Sequence, residues 1–302
     1  MAASLPIPLF ALAGYTTGSG MRMLDPLLPL LAADLGVTVA GATGVVAGFV
    51  LPYGLVQLAA GPLGDAFGKI RIACFALLLY GLGLIGSAFA TDLPMLIALR
   101  AFCGCFAGAV IPLLMAHIGD SFPYEERQVA IGRFTTGMVM AQLVTGPVSG
   151  VLAEAAGWRL PFLVLGLLSL AVGGLVAWRL AAALWRGPAA GAEAAGRGLR
   201  GYAELLRRPA GRWLLGVAFF DGFLLFGGAF PYVGSFLIEG FGRNAAEAGV
   251  IVAGFGLGAF AYTRLARRLL RRFGGSGGCW AWAAAAWPWR WRRWPWPPPG
   301  RW

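Results

Sequence analysis

The fold class the sequence predicts is an all-α membrane protein, a bundle of transmembrane helices. Three observations carry that prediction. Apolar residues make up 59% of the 302 and charged residues only 12%, with a mean hydropathy of +0.73, which leaves too little polar surface to clothe a soluble globule. The apolar residues gather into stretches of about 20, the length a helix needs to cross a bilayer. The basic residues, finally, are sorted by side.

Spans are expected at 7–31, 40–60, 71–91, 94–118, 129–152, 160–182, 212–238 and 246–265. The first has no basic segment before it and carries Arg22 and Asp25 inside, so it reads as a retained helix and not a cleaved signal. The second and third are joined by Gly61 to Arg71, GPLGDAFGKIR, a short hairpin in which Asp65 is expected to cap the next helix. The fourth carries Arg100, Gly104 and Gly108 on one face and ends near His117, which is expected in a solvated position beside Asp120. The fifth contains Gly146, Pro147 and Gly150, and the sixth opens on AGWRLPF, with Trp158 as an interfacial anchor. Residues 185–211, rich in Gly, Ala and Arg, form a basic cytoplasmic linker. The seventh span holds Asp221, placed to face a cavity or to pair locally. Cys74, Cys103 and Cys105 lie in apolar spans without metal-ligand spacing and read as packing residues.

Net charge is +11, yet its distribution argues for a lipid bilayer as partner and against nucleic acid. Lys69, Arg71, Arg127, Arg133, the linker arginines and Arg264 to Arg272 fall on one side of the spans, Arg159 and Arg243 on the other. By the positive-inside rule the N-terminus, the Gly61 to Arg71 turn and the linker are cytoplasmic.

The chain also repeats itself. Val46-Ala47-Gly48-Phe49 recurs 206 positions later as Val252-Ala253-Gly254-Phe255, and Phe67-Gly68 and Gly36 recur at the same offset as Phe273-Gly274 and Gly242. This divides the chain into a six-helix bundle at 1–184, the linker at 185–211, a partial second bundle at 212–273 and a tail at 274–302. The tail, a run of Trp, Pro, Arg and Ala, is unfit for a membrane helix. Read one base earlier, its Trp codons become Leu, Met or Val, and the Pro and Arg codons that follow them become Ala. It is therefore expected to be translated out of frame, with the later helices missing.

Gly61, Leu63, Asp65, Gly68, Lys69 and Arg71 closely resemble the loop signature between the second and third helices of the major facilitator superfamily, departing from it at Ala66 and Ile70. The resemblance implies two six-helix halves, of which this chain has the first and part of the second, and gives Asp65 a role in latching the cytoplasmic side. RMLDPLLPLL, Arg22 to Leu31, resembles the first helix of proton-coupled exporters in that superfamily, which makes Asp25 a candidate proton acceptor or half of a static pair with Arg22. RAFCGCFAG resembles the fourth-helix pattern, which implies a part in proton movement for Arg100 and close helix contact at Gly104 and Gly108. GPVSG resembles the exporter-associated pattern of the fifth helix, with Gly254 and Gly258 as expected contacts. There Met138 and Gln142 stand where that pattern has glycines, Gly137 is one place off, and Val151 replaces the last glycine.

The resemblance implies a secondary transporter of the inner membrane working by alternating access, driven by a proton gradient without a cofactor, that exports drugs or other small molecules. The alternatives are a sugar or metabolite exporter on the same scaffold, or a truncated remnant that does not transport. No nucleotide-binding loop, Ser/His/Asp set or metal-ligand pattern is present in the sequence, so neither an ATP-driven pump nor an enzyme is expected.

Overall fold

The computed structural model describes residues 6–181, 204, 206–221, 230–254 and 257–258, and among them helix is the one regular structure. The helices are α1 (Ile7–Arg22), α2 (Leu28–Asp34), α3 (Val39–Ala42), α4 (Gly44–Phe67), α5 (Lys69–Ala88), α6 (Leu93–Ser121), α7 (Tyr124–Ala156), α8 (Arg159–Arg179), α9 (Pro209–Asp221), α10 (Phe230–Phe241) and α11 (Ala245–Val252). Five described stretches are long and apolar enough to span a bilayer: Val39–Phe67, Lys69–Ala88, Leu93–Ser121, Val129–Ala156 and Arg159–Arg179. The chain divides into two units, Met1–Gly256 and Leu257–Trp302. The linker at 185–203 and nearly all of the second unit, with the tail at 274–302, lie outside the described residues.

The first predicted span is broken. Pro26 has no N–H to offer the carbonyl four residues back, so α1 stops at Arg22 and the chain turns through i to i+3 bonds, Asp25 N to Arg22 O at 3.2 Å and Leu27 N to Leu24 O at 2.9 Å. Helix resumes as α2 with Pro29 near its start, where a missing N–H costs nothing. The seventh predicted span is helical at both ends, α9 and α10, with 222–229 between them outside the described residues.

The turn after the second span also differs from expectation. Gly61 to Phe67 form the last two turns of α4, and the whole reversal falls on Gly68, whose φ of +95° only glycine tolerates easily. Asp65 therefore lies in the last turn of α4 and does not cap α5; it faces Lys69 one turn on, at 3.3 Å.

The bundle is assembled pairwise: α4 packs on α6, α5 on α8, α1 on α7, and α11 on α7. Small residues set the approach. A Cβ on Gly104 or Gly108 would overlap the Phe49 or Tyr53 carbonyl of α4, and one on Gly81 would sit 3.0 Å from the Gly166 carbonyl of α8. Between the helices lies an apolar core containing Phe10, Phe49, Leu77, Tyr80, Phe134 and Phe162, all under 2% exposed. Leu51, Leu55 and Leu58 instead point outward from α4, as a bilayer permits.

The internal repeat has a structural counterpart. Gly36 and Gly242 share a left-handed backbone, φ +64° and +62°. Two residues beyond each, Thr38 caps Gly41 N–H at 3.1 Å and Asn244 caps Glu247 N–H at 2.7 Å. The same glycine turn and helix cap thus open α3 and α11, at the offset found in the sequence.

Candidate functional site

The break after α1 places the most polar group of the interior. Arg22 and Asp25, three apart on one face, are 3% and 4% exposed, with Arg22 Nη1 at 3.6 Å from Asp25 Oδ2. Two charges so far from water persist only with partners. Across the α1–α7 interface Arg22 Nε donates to Gln142 Oε1. That interface is fixed by Ser19 and Thr145, whose buried hydroxyls bond at 2.7 Å, and by Gly137, where any Cβ would land on the Ala11 carbonyl. On the opposite side α10 closes in: Gly234 lies so near the Asp25 carbonyl that a side chain would collide with it.

Arg100 is fully buried on α6. Its Nη2 donates to the Gly20 carbonyl at 2.7 Å, and its guanidinium stacks 4.2 Å over the Phe49 ring and 5.9 Å from that of Phe162. Its Nε and Nη1 have no hydrogen-bond partner among the described residues. Tyr80 of α5 adds a bond from its hydroxyl to the Thr16 carbonyl at 3.0 Å. Arg22, Asp25 and Arg100 are thus gathered on the final turns of α1 and the break after it. Asp221 ends α9, and its side chain lies outside the described residues.

At the end of the bundle holding the α4–α5 turn, Lys69 bridges Asp65 and Asp120, joining that turn to the last turn of α6. His117 is not in a solvated loop. It is half-buried within α6, its ring edge-on to Phe10 at 6.0 Å, while Asp120 takes Lys69. Gly146 and Gly150 on α7 do contact the expected helix, but at Gly249 and Ala245, nearer its N-terminus than Gly254 and Gly258. A Cβ on Gly150 would stand 2.5 Å from the Ala245 carbonyl. The helix passes through Pro147, which leaves the Leu143 carbonyl without its usual donor.

At the opposite end a cluster absent from the sequence reading ties three segments. Asp34 Oδ2, at the end of α2, accepts from Trp158 Nε1 at 2.9 Å and Arg159 Nη1 at 2.6 Å, and Arg159 Nη2 reaches the Ala90 carbonyl at 3.3 Å. The indole N–H and then the guanidinium hold the Asp34 carboxyl below the usual carboxylate range. A group whose folded pKa is depressed adds stability above its unfolded value and loses it as pH falls through the folded one. Asp34→Ala is expected to lower the melting temperature slightly at neutral pH, by an increment that vanishes on acidification below the carboxylate range. An increment constant with pH would remove Asp34 ionisation from the account.

The order and pairing of these helices match known proteins. The structure superposes on a bacterial homologue of the human lysosomal transporter Spinster, in an inward-facing and unoccupied conformation, with a TM-score of 0.64 at 19% identity, over 90% of this chain and 64% of that one. It superposes on the Escherichia coli xylose transporter XylE with a TM-score of 0.59 at 17% identity, over 88% and 70%. At such identities the likeness shows the fold. In sequence the chain is 28% identical over 152 residues to the quinolone resistance protein NorA of Staphylococcus aureus, covering 50% of this chain and 39% of that protein. It is 30% identical over 142 residues to a probable sulfoacetate transporter, SauU, of Cupriavidus necator, covering 47% and 33%. The chain spans about a third of the length of the curated relatives it matches. The Major Facilitator Superfamily model matches residues 10–296, and with the helical bundle described above this makes the chain a member of that superfamily: a multi-pass membrane protein of a transporter family, not an enzyme.

Proposed function

We propose that this protein is a proton-coupled exporter of small molecules or drugs, in which Asp25 accepts the coupling proton, Arg22 and Arg100 tune it, and Asp65 stabilises one conformer through Lys69. The observation that carries the reading is the Arg22–Asp25 pair, sealed at a helix break where α1, α7 and α10 meet. A carboxylate there, beside the Arg22 cation and at the contact of elements that must separate in alternating access, can link its protonation to which side is open. The exporter-like α7, with Gly146, Pro147 and Gly150 against α11, and the relation to NorA support the outward direction.

The test is flux. In vesicles holding a full-length form of the protein, an imposed proton gradient should drive substrate accumulation that a protonophore abolishes. Uptake indifferent to the gradient would remove proton coupling. Absence of any flux would favour a second reading, a membrane protein on this scaffold that does not transport.

The charge asymmetry supports an inner-membrane orientation with the N-terminus in the cytoplasm. Single cysteines at Ala192 and Asn244 are expected to react with impermeant reagents from the cytoplasmic and the outer face, respectively. Labelling of both from one face would overturn the assignment.

A further inference from the structure

The Arg22–Asp25 pair is looser than two buried charges so placed need be. Nη1 and Oδ2 stand 3.6 Å apart, beyond the roughly 2.7–2.9 Å of a charge-assisted hydrogen bond, although they sit three residues apart with nothing between them in sequence but Met23 and Leu24. The reason is on another helix. The guanidinium is a rigid planar fork, and its Nε is held by Gln142 Oε1, so the fork is turned toward α7 as well as toward Asp25 and does not close fully on the carboxylate.

We propose that Gln142 is a positioning residue: by holding Arg22 from α7 it keeps the ion pair loose and leaves the Asp25 carboxylate open to a proton. This rests on the reading of Asp25 as the proton acceptor. The grip is well anchored. One turn from Gln142, Thr145 bonds Ser19 at 2.7 Å, and Ala141 and Met138 of α7 lie against Gly18 and Gly14 of α1, so near that a Cβ there would meet them at 3.1 and 3.4 Å. The register that brings Gln142 to Arg22 is thus set by packing on both sides of it.

Among the described residues, few other groups act on Asp25. Arg22 comes from its own helix. From α6, Arg100 is engaged by the Gly20 carbonyl, and from α5, Tyr80 by the Thr16 carbonyl, both further back along α1. From α7 the nearby side chains are the neutral Gln142 and Thr145, and from α10 the approach to Asp25 is by backbone at Gly234, next to Ser235. Among the described residues Arg22 is therefore the charge that governs the carboxylate, and whatever moves Arg22 changes how readily Asp25 takes a proton.

The experiment needs no transport. The purified chain in lipid vesicles is treated across a pH series with a hydrophobic carbodiimide, which attacks protonated carboxyls in apolar surroundings, and modification of Asp25 is read by mass spectrometry. Asp25→Asn gives the background. With Gln142→Leu the freed guanidinium closes on Asp25, and the labelling midpoint is expected to move to more acidic pH by about one unit, a tenfold loss of proton affinity. With Gln142→Glu, nearly the same shape but charged, Arg22 is drawn away and a second negative charge is brought near, so the midpoint moves to more basic pH. Opposite shifts sustain the proposal. An unchanged midpoint in either folded variant, or shifts in the same direction, overturns it. Should the leucine variant not fold, the glutamate variant decides alone by the same criterion. Immobile midpoints remove the role of Gln142 and leave Asp25 as proton acceptor untouched, whereas proton-coupled flux by Asp25→Asn would remove that reading and leave a midpoint shift standing.

Discussion

Asp25→Asn is expected to reduce proton-driven flux in a full-length form of the protein to the level of empty vesicles, while the protein still reaches the membrane. The amide keeps the volume of the carboxyl and an acceptor oxygen for Arg22, so the break between α1 and α2 retains its polar contacts. It cannot titrate, so the step that binds a proton on one side and releases it on the other has no carrier. Removing one partner of a buried pair generally costs about 3–5 kcal/mol, but here Gln142 already holds part of the guanidinium, and the isostere loses charge without opening a cavity. Counterflow of substrate in the absence of a gradient should survive in the variant, because it needs only the conformational change. Proton-coupled transport at wild-type rate would remove Asp25 from the mechanism.

The second large effect is on folding. At Gly137 a Cβ would fall on the Ala11 carbonyl of α1, a backbone atom that cannot rotate aside as the end of a side chain could. Gly137→Leu must push α1 and α7 apart, which breaks the Ser19–Thr145 bond and the grip of Gln142 on Arg22 at once. Overpacking typically costs about 1–3 kcal/mol, and the lost polar contacts in hydrocarbon add to it. Cys74 and Cys103 are buried free thiols, so a thiol-reactive dye reports unfolding directly once Cys105 and Cys279 are replaced by serine. Dye uptake should occur at markedly lower temperature in Gly137→Leu. Gly132→Leu on the same helix, where nothing lies within 4 Å, should melt as wild type. Equal melting of the two variants would show that the α1–α7 approach does not limit stability.

Much of this architecture was legible in the sequence because its determinants are local. Span length, charge sorting and the repeat each need only neighbouring residues or a fixed offset. The break at Pro26 was equally local, yet a run of apolar residues hides it, since hydropathy continues across a helix break. Asp65 lies inside α4 although GPLGDAF, with two glycines and a proline, suggests a turn, because a membrane helix keeps them and one left-handed glycine ends it. The partners of Gly146 and Gly150 were assigned to the right helix but displaced along it, since helix identity follows from the repeat and axial register does not. The contacts made by Gln142 and Tyr80 and within the Asp34–Trp158–Arg159 cluster are not legible in the sequence, for a common reason. Their partners are 64 to 125 residues away in sequence, and spans apolar on every face give no sign of which face meets which.

The ion pair at the end of α1 bears on how the protein is made. Arg22 and Asp25 belong to one span, made well before α7, and each alone costs roughly 2.5 to 3.5 kcal/mol on insertion scales. Because they are three residues apart they can pair inside the nascent span, before α7 has been synthesised, so the translocon meets a partly neutralised segment and not two separate charges. Gln142 arrives more than a hundred residues later and meets a pair already formed. Its bond to Arg22 is then a late adjustment, made when α7 docks against α1.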